Sequence, residues 1–334
     1  MDADPAATAN EFVEVTYTVE PNYAGWRLDR YLCEKIRRLS RARVQHIIHN
    51  SLISPLASER KFKPSTRVTS GMTFQLRRRR NQEPDTPRDV PTLYEDADLL
   101  VLDKPAGLPV HPSARYHHGT LTALLKERLG PDAIADPAHR LDRETSGVIV
   151  CGRSTEVSRR LSKAFMRGEV HKAYVGICEG WPAADAFEVD AAIAEGRSTV
   201  RIAVRIDAAV GKPAQTRFVV ERRFLREGER FALLRAFPLT GRQHQIRVHL
   251  QHAGYSLVGD KIYGPDEGYF DRFSKNSLEP EAWVRLRLPR HALHAAELSL
   301  HHPMSGEAMT FQAPLPRDLA DFTGEGDVVK VSAA

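Results

Sequence analysis

Hydrophobic side chains recur every three to four residues in four stretches of the chain, which is the spacing of an amphipathic helix. The stretches are 28–36, 44–48, 121–129 and 157–165. Ser40 and Ser154 precede two of these stretches at the N-cap position, where a hydroxyl accepts a backbone N–H. Gly130 and Gly168 stand where two of them end. The pattern therefore predicts two helices near the N-terminus and two further along the chain.

Shorter apolar or alternating runs predict β-strands. The runs are 74–76, 99–102, 148–150, 174–178, 218–224 and 231–237. Regular helical crossovers, which parallel neighbours need, do not separate every pair of runs. We therefore expect an α+β fold with a mixed, mostly antiparallel sheet flanked by helices.

The segment RNQEPDTPRDVP, residues 80–91, carries three prolines and almost no apolar side chains. Such a composition is typical of an extended linker between domains. We divide the chain into a small domain at 11–80, a linker at 81–91, a large domain at 92–316 and a tail at 317–334.

The composition, with 42% hydrophobic and 27% charged residues among 334, is that of a globular protein. No apolar run approaches the roughly 20 residues of a membrane-spanning helix. The N-terminus lacks a signal-peptide pattern, and the three cysteines, Cys33, Cys151 and Cys178, form no C-x-x-C pair. We expect a cytoplasmic protein with no membrane partner, whose cysteines are small packing residues.

Positive charge is concentrated near the N-terminus. The chain carries a net charge of +5, but residues 27–80 hold 15 Lys or Arg against 3 Asp or Glu. A solvated helix face would explain one isolated basic cluster, whereas this imbalance over a small domain predicts a polyanion-binding surface. The candidate RNA-binding residues here are Arg37, Arg38, Arg41 and Arg43.

The stretch HRLDRETSG, residues 139–147, places one carboxylate, Asp142, among cationic and small polar groups. It suits an ion-paired turn leading into the strand at 148–150. It also suits a carboxylate that neighbouring cations keep ionised for chemistry. A hydrolase triad of His139, Asp142 and Ser146 is a third interpretation, which the close spacing and the lack of a nucleophile elbow disfavour.

The segment TGRQHQIRVHLQHAGYSLVGDKIYG, residues 240–264, is rich in polar side chains at helical spacing. Gln243 and Arg247 are predicted to share one helix face. His249 and His252, three residues apart, make a metal site conceivable. Because arginines surround them and no cysteine accompanies them, contact with a phosphate or carboxylate is the favoured interpretation. The chain has no P-loop, G-x-G-x-x-G, G-x-S-x-G or H-E-x-x-H motif.

HRLDRETSG resembles the signature of the RluA-type RNA pseudouridine synthases, and further stretches match this family in order. They are LVLDKPAGLPVHP at 100–112, VHKAYVGI at 170–177, the segment at 240–264 and LHAAELSLHHPMSGE at 293–307. The resemblance covers about residues 95–316. It implies a pseudouridine synthase fold and isomerisation of uridine to pseudouridine in RNA, a reaction that needs no cofactor or metal.

The resemblance also assigns roles to four residues. It implies that Asp142 is the catalytic carboxylate and that Arg247 pairs with it. Tyr174 would pack against the target base and take part in removing its proton. Arg140 would fill the gap that the extruded base leaves in the RNA.

Residues 25–80 resemble the alpha-L RNA-binding domain, although Ser54 to Ser58 replace its usual Val-Asn-Gly turn. This arrangement implies large-subunit ribosomal RNA as the substrate, with transfer RNA as the alternative. A non-catalytic RNA-binding or ribosome-assembly factor on the same fold is the competing class. RNA is the expected partner. The sequence does not indicate the oligomeric state, but a monomer is favoured.

Overall fold

The computed structural model describes residues 12–36, 39–50, 52–53, 62–79, 83–113, 115–196, 202–324 and 327–328. The chain forms two compact units, which divide between Gln82 and Glu83.

The first unit contains two helices and a three-stranded antiparallel sheet. In chain order the elements are β1 (Phe12–Thr18), α1 (Leu28–Lys35), α2 (Arg41–Asn50), β2 (Leu52–Ile53) and β3 (Thr73–Arg79), with strand order β1-β3-β2. Both predicted helices are confirmed, and the Ser40 hydroxyl accepts the Arg43 N–H at 3.3 Å as expected of an N-cap. The helices bury their apolar faces against Phe74 of β3, so the unit has its own hydrophobic core.

The second unit is built on an eleven-stranded sheet. Its strands are β4 (Thr92–Glu95), β5 (Leu99–Lys104), β6 (Asp136–Pro137), β7 (Ser146–Gly152), β8 (His171–Glu179), β9 (Ala186–Asp190), β12 (Gln215–Arg226), β13 (Glu229–Pro238), β14 (Leu293–His301), β15 (Ala308–Gln312) and β16 (Asp327–Val328). A separate hairpin pairs β10 (Ile193–Glu195) with β11 (Val204–Ile206). The order β16-β12-β13-β8-β14-β7-β5-β4 runs across the sheet, with β9, β15 and β6 added to β12, β14 and β7.

The second unit also contains α-helices. They are α3 (Leu121–Leu129), α4 (Thr155–Arg167), α5 (Gln245–His252), α6 (Tyr269–Ser274), α7 (Pro280–Leu286) and α8 (Arg317–Gly324). The predicted caps are present, because Ser154 accepts the Val157 N–H and Gly168 ends α4 in the left-handed conformation. In the described part of the chain, every strand pair of the large sheet is antiparallel except β7 with β14. The predicted α+β class with a mixed, mostly antiparallel sheet is confirmed.

Residues on both sides of the predicted range 92–316 make contacts with the large unit. Glu83, placed in the linker by its composition, accepts backbone N–H groups from His117, His118 and Gly119 at 2.6 to 3.0 Å and belongs to the second unit. The predicted tail begins with α8, whose Leu319 and Phe322 are buried against the sheet. The sequence did not reveal these contacts, because the composition of a short polar segment does not show which residues it contacts after folding.

Candidate active site

A cleft of about 700 Å³ opens over the middle of the large sheet. The loop before β7 forms its floor, the C-terminal end of α4 forms one rim, and residues 238–247 between β13 and α5 form the other. Of the described residues that line it, Asp142 is the one carboxylate. The cations around it are Arg140, Arg167, Lys172, Arg242 and Arg247. The cleft therefore suits an anionic ligand that is brought up to a single ionised oxygen.

The loop that carries Asp142 is fixed from below by Lys104, at the end of β5. Its side chain is fully buried, and Nζ donates to the carbonyls of Pro105, Leu108 and Arg143 at 2.8 to 3.2 Å. Among the described residues no carboxylate lies within ion-pair distance of Nζ, and burial lowers the pKa of Lys104 to about 7. The hydrogen bonds to three carbonyls therefore tie the turn after β5 to the residue that follows Asp142.

The polar residues after Asp142 anchor the loop to Lys261 and to residues at the start of β14. Glu144 accepts from Lys261 Nζ at 3.1 Å and from the His291 N–H at 3.3 Å. The Thr145 hydroxyl lies 2.7 Å from His291 Nε2, and the Ser146 hydroxyl lies 2.9 Å from His294 Nδ1. Glu144, Thr145 and Ser146 thus have structural contacts, and among the described carboxylates Asp142 is the one that lines the cleft.

Asp142 and Arg247 are brought together across 105 positions of sequence. Arg247 Nη1 donates to Asp142 Oδ2 at 2.8 Å. Its Nε and Nη2 donate to the two oxygens of Asp260 at 2.7 and 2.8 Å, a bidentate pair that fixes the guanidinium plane. Asp260 also accepts the Ile262 and Tyr263 N–H groups. This buried chain orients the Asp142 carboxylate toward the cleft.

Burial opposes ionisation of Asp142, but the neighbouring His244 and Arg247 outweigh it and lower its pKa to about 2. The Asp142 carboxyl is therefore a carboxylate at neutral pH, although only 20% of its side chain is exposed. Burial, aided by the charge of Asp142, raises the pKa of Tyr174, so its phenol stays protonated.

The other residues predicted from the cleft motifs also line it. Tyr174 lies on β8, partly buried between two hydrophobic clusters, and Lys172 lies two residues earlier on the same strand. Arg140 is exposed at the mouth. Beside it, the His139 ring stacks on Phe165 with ring centroids 4.8 Å apart. The structure therefore brings Asp142, Tyr174, Arg247 and Arg140 into one cleft.

The candidate RNA-binding arginines of the first unit differ in how far their side chains are free to contact RNA. Arg43 is exposed on α2. Arg41 is exposed too, but its guanidinium donates to the buried Asp29 carboxylate at 3.0 Å, together with Arg27. Part of the Arg41 side chain therefore stabilises this unit. Arg37 and Arg38 lie outside the described residues.

Three other expectations are settled by contacts. The triad is not assembled, because Ser146 pairs with His294 and His139 accepts the Val150 N–H. The prediction that Gln243 and Arg247 share one helix face was wrong, because α5 begins only at Gln245. Both ring nitrogens of His249 are engaged, one by the Thr216 hydroxyl and one by the Ala191 carbonyl. Among the described residues, no group of three or more His, Cys, Asp or Glu could hold a metal.

The sequence interpretation missed four groups of the site, namely Lys104, His244, Asp260 and Tyr263. Each lies inside a stretch quoted for the family resemblance, so the motifs marked the region. Their roles could not be inferred because each acts through a contact that spacing along the chain does not reveal.

Comparison with known proteins identifies the family. A family model for RNA pseudouridylate synthases matches residues 98–252. "Ribosomal large subunit pseudouridine synthase D" of Nitrosomonas europaea is 34% identical over 330 residues, covering 96% of this chain and 90% of the relative. The chain belongs to the RluA-type RNA pseudouridine synthases. The predicted family and the isomerase activity, uridine to pseudouridine in RNA, are confirmed.

Further relatives of this pseudouridine synthase agree. The Escherichia coli K12 protein of the same name is 33% identical, with 93% of each chain covered. An uncharacterized RNA pseudouridine synthase of Chlorobaculum parvum is 35% identical over 88% of this chain and 91% of its own length. The solved structure of human RNA pseudouridylate synthase domain containing 1 superposes with a TM-score of 0.58 at 25% identity, over 76% of this chain and 94% of its own.

In the part of the synthase that the structure describes, no helix is long and apolar enough to cross a membrane. The cysteines are free thiols, with Cys151 and Cys178 buried in the cores and Cys33 partly buried, which agrees with their expected packing role.

Proposed function

We propose that this synthase modifies uridines in large-subunit ribosomal RNA. The relatives from Nitrosomonas europaea and Escherichia coli, which align over nearly the whole chain, carry that substrate in their names. The basic composition of residues 27–80 supports a second contact with structured RNA outside the cleft. A ribosomal substrate also agrees with the cytoplasmic location and monomeric state expected from the sequence.

In this proposal Asp142 is the catalytic carboxylate. The observation that carries the assignment is its 2.8 Å hydrogen bond with Arg247 at the floor of a cationic cleft. An ionised, oriented oxygen is what attack on the sugar or base, or removal of a sugar proton, requires. Arg247 is the group that holds it, and Asp260 is in turn the group that holds Arg247.

The remaining roles follow from exposure and shape. The target base must leave its stack, at a cost of a few kcal/mol. The ring of Tyr174 receives it, since base–aromatic stacking contributes about 1 to 3 kcal/mol. Arg140, exposed at the mouth, occupies the gap in the RNA. Because burial raises the pKa of Tyr174, its phenol is protonated in the resting enzyme, which favours a packing role over that of a preformed phenolate base. Arg37, Arg38, Arg41 and Arg43 are proposed to bind phosphates of the RNA.

A non-catalytic RNA-binding role on this fold is the alternative. It does not account for a desolvated carboxylate with a low pKa at the floor of the cleft, because an anion there weakens phosphate binding.

The test is to map pseudouridines in ribosomal and transfer RNA from cells with the gene, without it, and with an Asp142→Asn chain. We expect sites in large-subunit RNA to vanish without the gene and to stay absent with Asp142→Asn, while that variant still binds RNA. Unchanged large-subunit RNA with lost transfer-RNA sites would refute the substrate, and modification by Asp142→Asn would refute the catalytic assignment.

A further inference from the structure

His244 occupies a constrained position at the inner wall of the cleft. It is the N-cap of α5 and has φ +52° and ψ 20°, in the left-handed region that residues other than glycine seldom adopt. Gln245 holds this turn by accepting from the Thr240 hydroxyl and the Arg242 N–H, and by donating to the Gln215 carbonyl. A strained backbone that the surroundings fix in this way is a feature of functional positions.

The hydrogen bonds of Tyr263 determine which ring nitrogen of His244 carries the proton. The Val204 N–H donates to Tyr263 Oη at 2.8 Å, and His244 Nδ1 lies 2.9 Å from the same oxygen. Among the described residues, Nδ1 is the acceptor within hydrogen-bond distance of the Tyr263 O–H, so we assign this O–H as the donor to Nδ1. The proton of a neutral His244 ring then resides on Nε2.

That Nε2–H points to the place where the substrate reacts. Nε2 lies 3.7 Å from Asp142 Oδ1, which is too long for a hydrogen bond, and the side chain is only 7% exposed. The charged groups around the ring are Asp142, Asp260, Arg247 and Arg140, and burial lowers the pKa of His244 to about 4. The imidazole is therefore neutral at pH 7, with one N–H beside the carboxylate and facing the cleft.

We propose that His244 is a second catalytic group, which donates a hydrogen bond from Nε2 to a carbonyl oxygen of the detached uracil. The inference rests on the proposed role of Asp142. When the N1–C1′ bond breaks, its electron pair stays on the uracil and spreads onto the two carbonyl oxygens, while Asp142 compensates the sugar carbon by attack or by removing a sugar proton. The hydrogen bond stabilises this charge, and no proton leaves His244. The C5–C1′ bond then forms, and the proton lost from C5 is balanced by the proton that N1 gains.

A neutral imidazole suits this task better than a cation. An imidazolium would pair with Asp142 and weaken the carboxylate that the reaction needs. A fixed, neutral N–H bonds an oxygen that gains negative charge more strongly than a neutral carbonyl, so it raises kcat more than it tightens RNA binding.

The first test compares three full-length chains on one RNA substrate. His244→Phe keeps a ring but removes the donor, His244→Gln keeps an N–H, and His301→Phe is an exposed control. Removing one donor of this kind typically costs about 10² to 10³-fold in kcat. We expect a loss in that range for His244→Phe, partial recovery for His244→Gln, and RNA dissociation constants within about threefold of wild type. A kcat for a folded His244→Phe chain within threefold of wild type would overturn the proposal.

The second test starts from wild-type protein, so its first comparison does not depend on a variant folding. Sulfur is a weaker acceptor than oxygen, so RNA with 2-thiouridine or 4-thiouridine at the target should react more slowly on one of the two. In His244→Phe the same replacement should cause no further loss, because the two changes remove one interaction. Equal wild-type rates on all three substrates, or losses that multiply, would exclude the bond. If the role of Asp142 were the error, Asp142→Asn would stay active in the same assay.

Discussion

At the scale of single residues, Lys104 is the buried amine on which the loop that carries Asp142 depends, and burial lowers its pKa to about 7. Replacing it by Met leaves the Pro105 and Leu108 carbonyls without this donor, and each buried unsatisfied group costs about 1 to 3 kcal/mol. We expect Lys104→Met to lower the free energy of unfolding by about 3 kcal/mol and kcat at least tenfold, measured by urea unfolding and single-turnover kinetics. The control is Lys163→Met on the exposed face of α4, which should stay within about 0.5 kcal/mol. An equal effect of both changes would contradict this role.

The second residue-scale prediction concerns pH. The pKa of Asp142 is about 2 against an ordinary 3.8, so the carboxyl stays ionised as pH falls from 8 to 4. Its protonation therefore should not lower the reaction rate of the wild-type protein in this range. In Arg247→Met the opposing effect of burial remains and the pKa rises, so the rate should fall at a higher pH. Arg247→Lys keeps a positive charge and should lose kcat without that displacement. Single-turnover rates between pH 4 and 8 distinguish the two, and an identical acid limb in both variants would contradict the assigned cause.

At the scale of elements, the parallel pair of β7 and β14 depends on one glycine. Gly147 has φ +112°, and a Cβ there would lie 2.2 Å from the Ala295 carbonyl oxygen. Gly147→Ala must therefore push the strands apart or twist the loop that carries Asp142. We expect it to lose at least 3 kcal/mol of stability in thermal and urea unfolding.

The matched control for this change is Gly228→Ala in the β12–β13 turn. It also replaces a glycine of positive φ, +77°, but its Cβ would meet nothing within 4 Å. It should cost about 1 kcal/mol, the conformational penalty alone. Similar losses for the two variants would mean that the close approach of β14 contributes nothing.

Helices and strands whose hydrophobic residues recur at a regular spacing were predictable from the sequence, whereas contacts between distant segments were not. Ser154, the stripe of α4 and Gly168 specify a helix by local chemistry, and the structure has that helix. The pairing of Asp142 with Arg247 followed from family resemblance, since no spacing rule joins positions 105 residues apart. The prediction for 240–264 failed at Gln243 because helical spacing of polar side chains continues into the turn, where the αL conformation of His244 ends the period.

At the scale of the whole molecule, the division at Gln82 and Glu83 separates a basic unit from the unit that contains the cleft. Each phosphate contact releases counterions, so the unit with an excess of Lys and Arg should contribute most of the salt dependence of RNA binding. We expect residues 83–334 to bind RNA with a flatter slope of log K against log salt than the full chain. An unchanged slope would remove the first unit from the RNA footprint.

The exact starting residue of such a shortened chain provides the last prediction. Glu83 accepts three backbone N–H groups from residues 117–119, in the loop that precedes α3. The Pro91 carbonyl accepts the Asp103 N–H. A chain starting at Glu83 keeps these bonds, whereas one starting at Thr92 keeps β4 but leaves the N–H groups of residues 117–119 and of Asp103 without these acceptors. We expect the longer chain to unfold cooperatively and to isomerise a short RNA at close to the full-length kcat, and the shorter one to be less stable by about 2 kcal/mol in urea. Equal stability would mean that residues 83–91 act as the free linker that their prolines suggest.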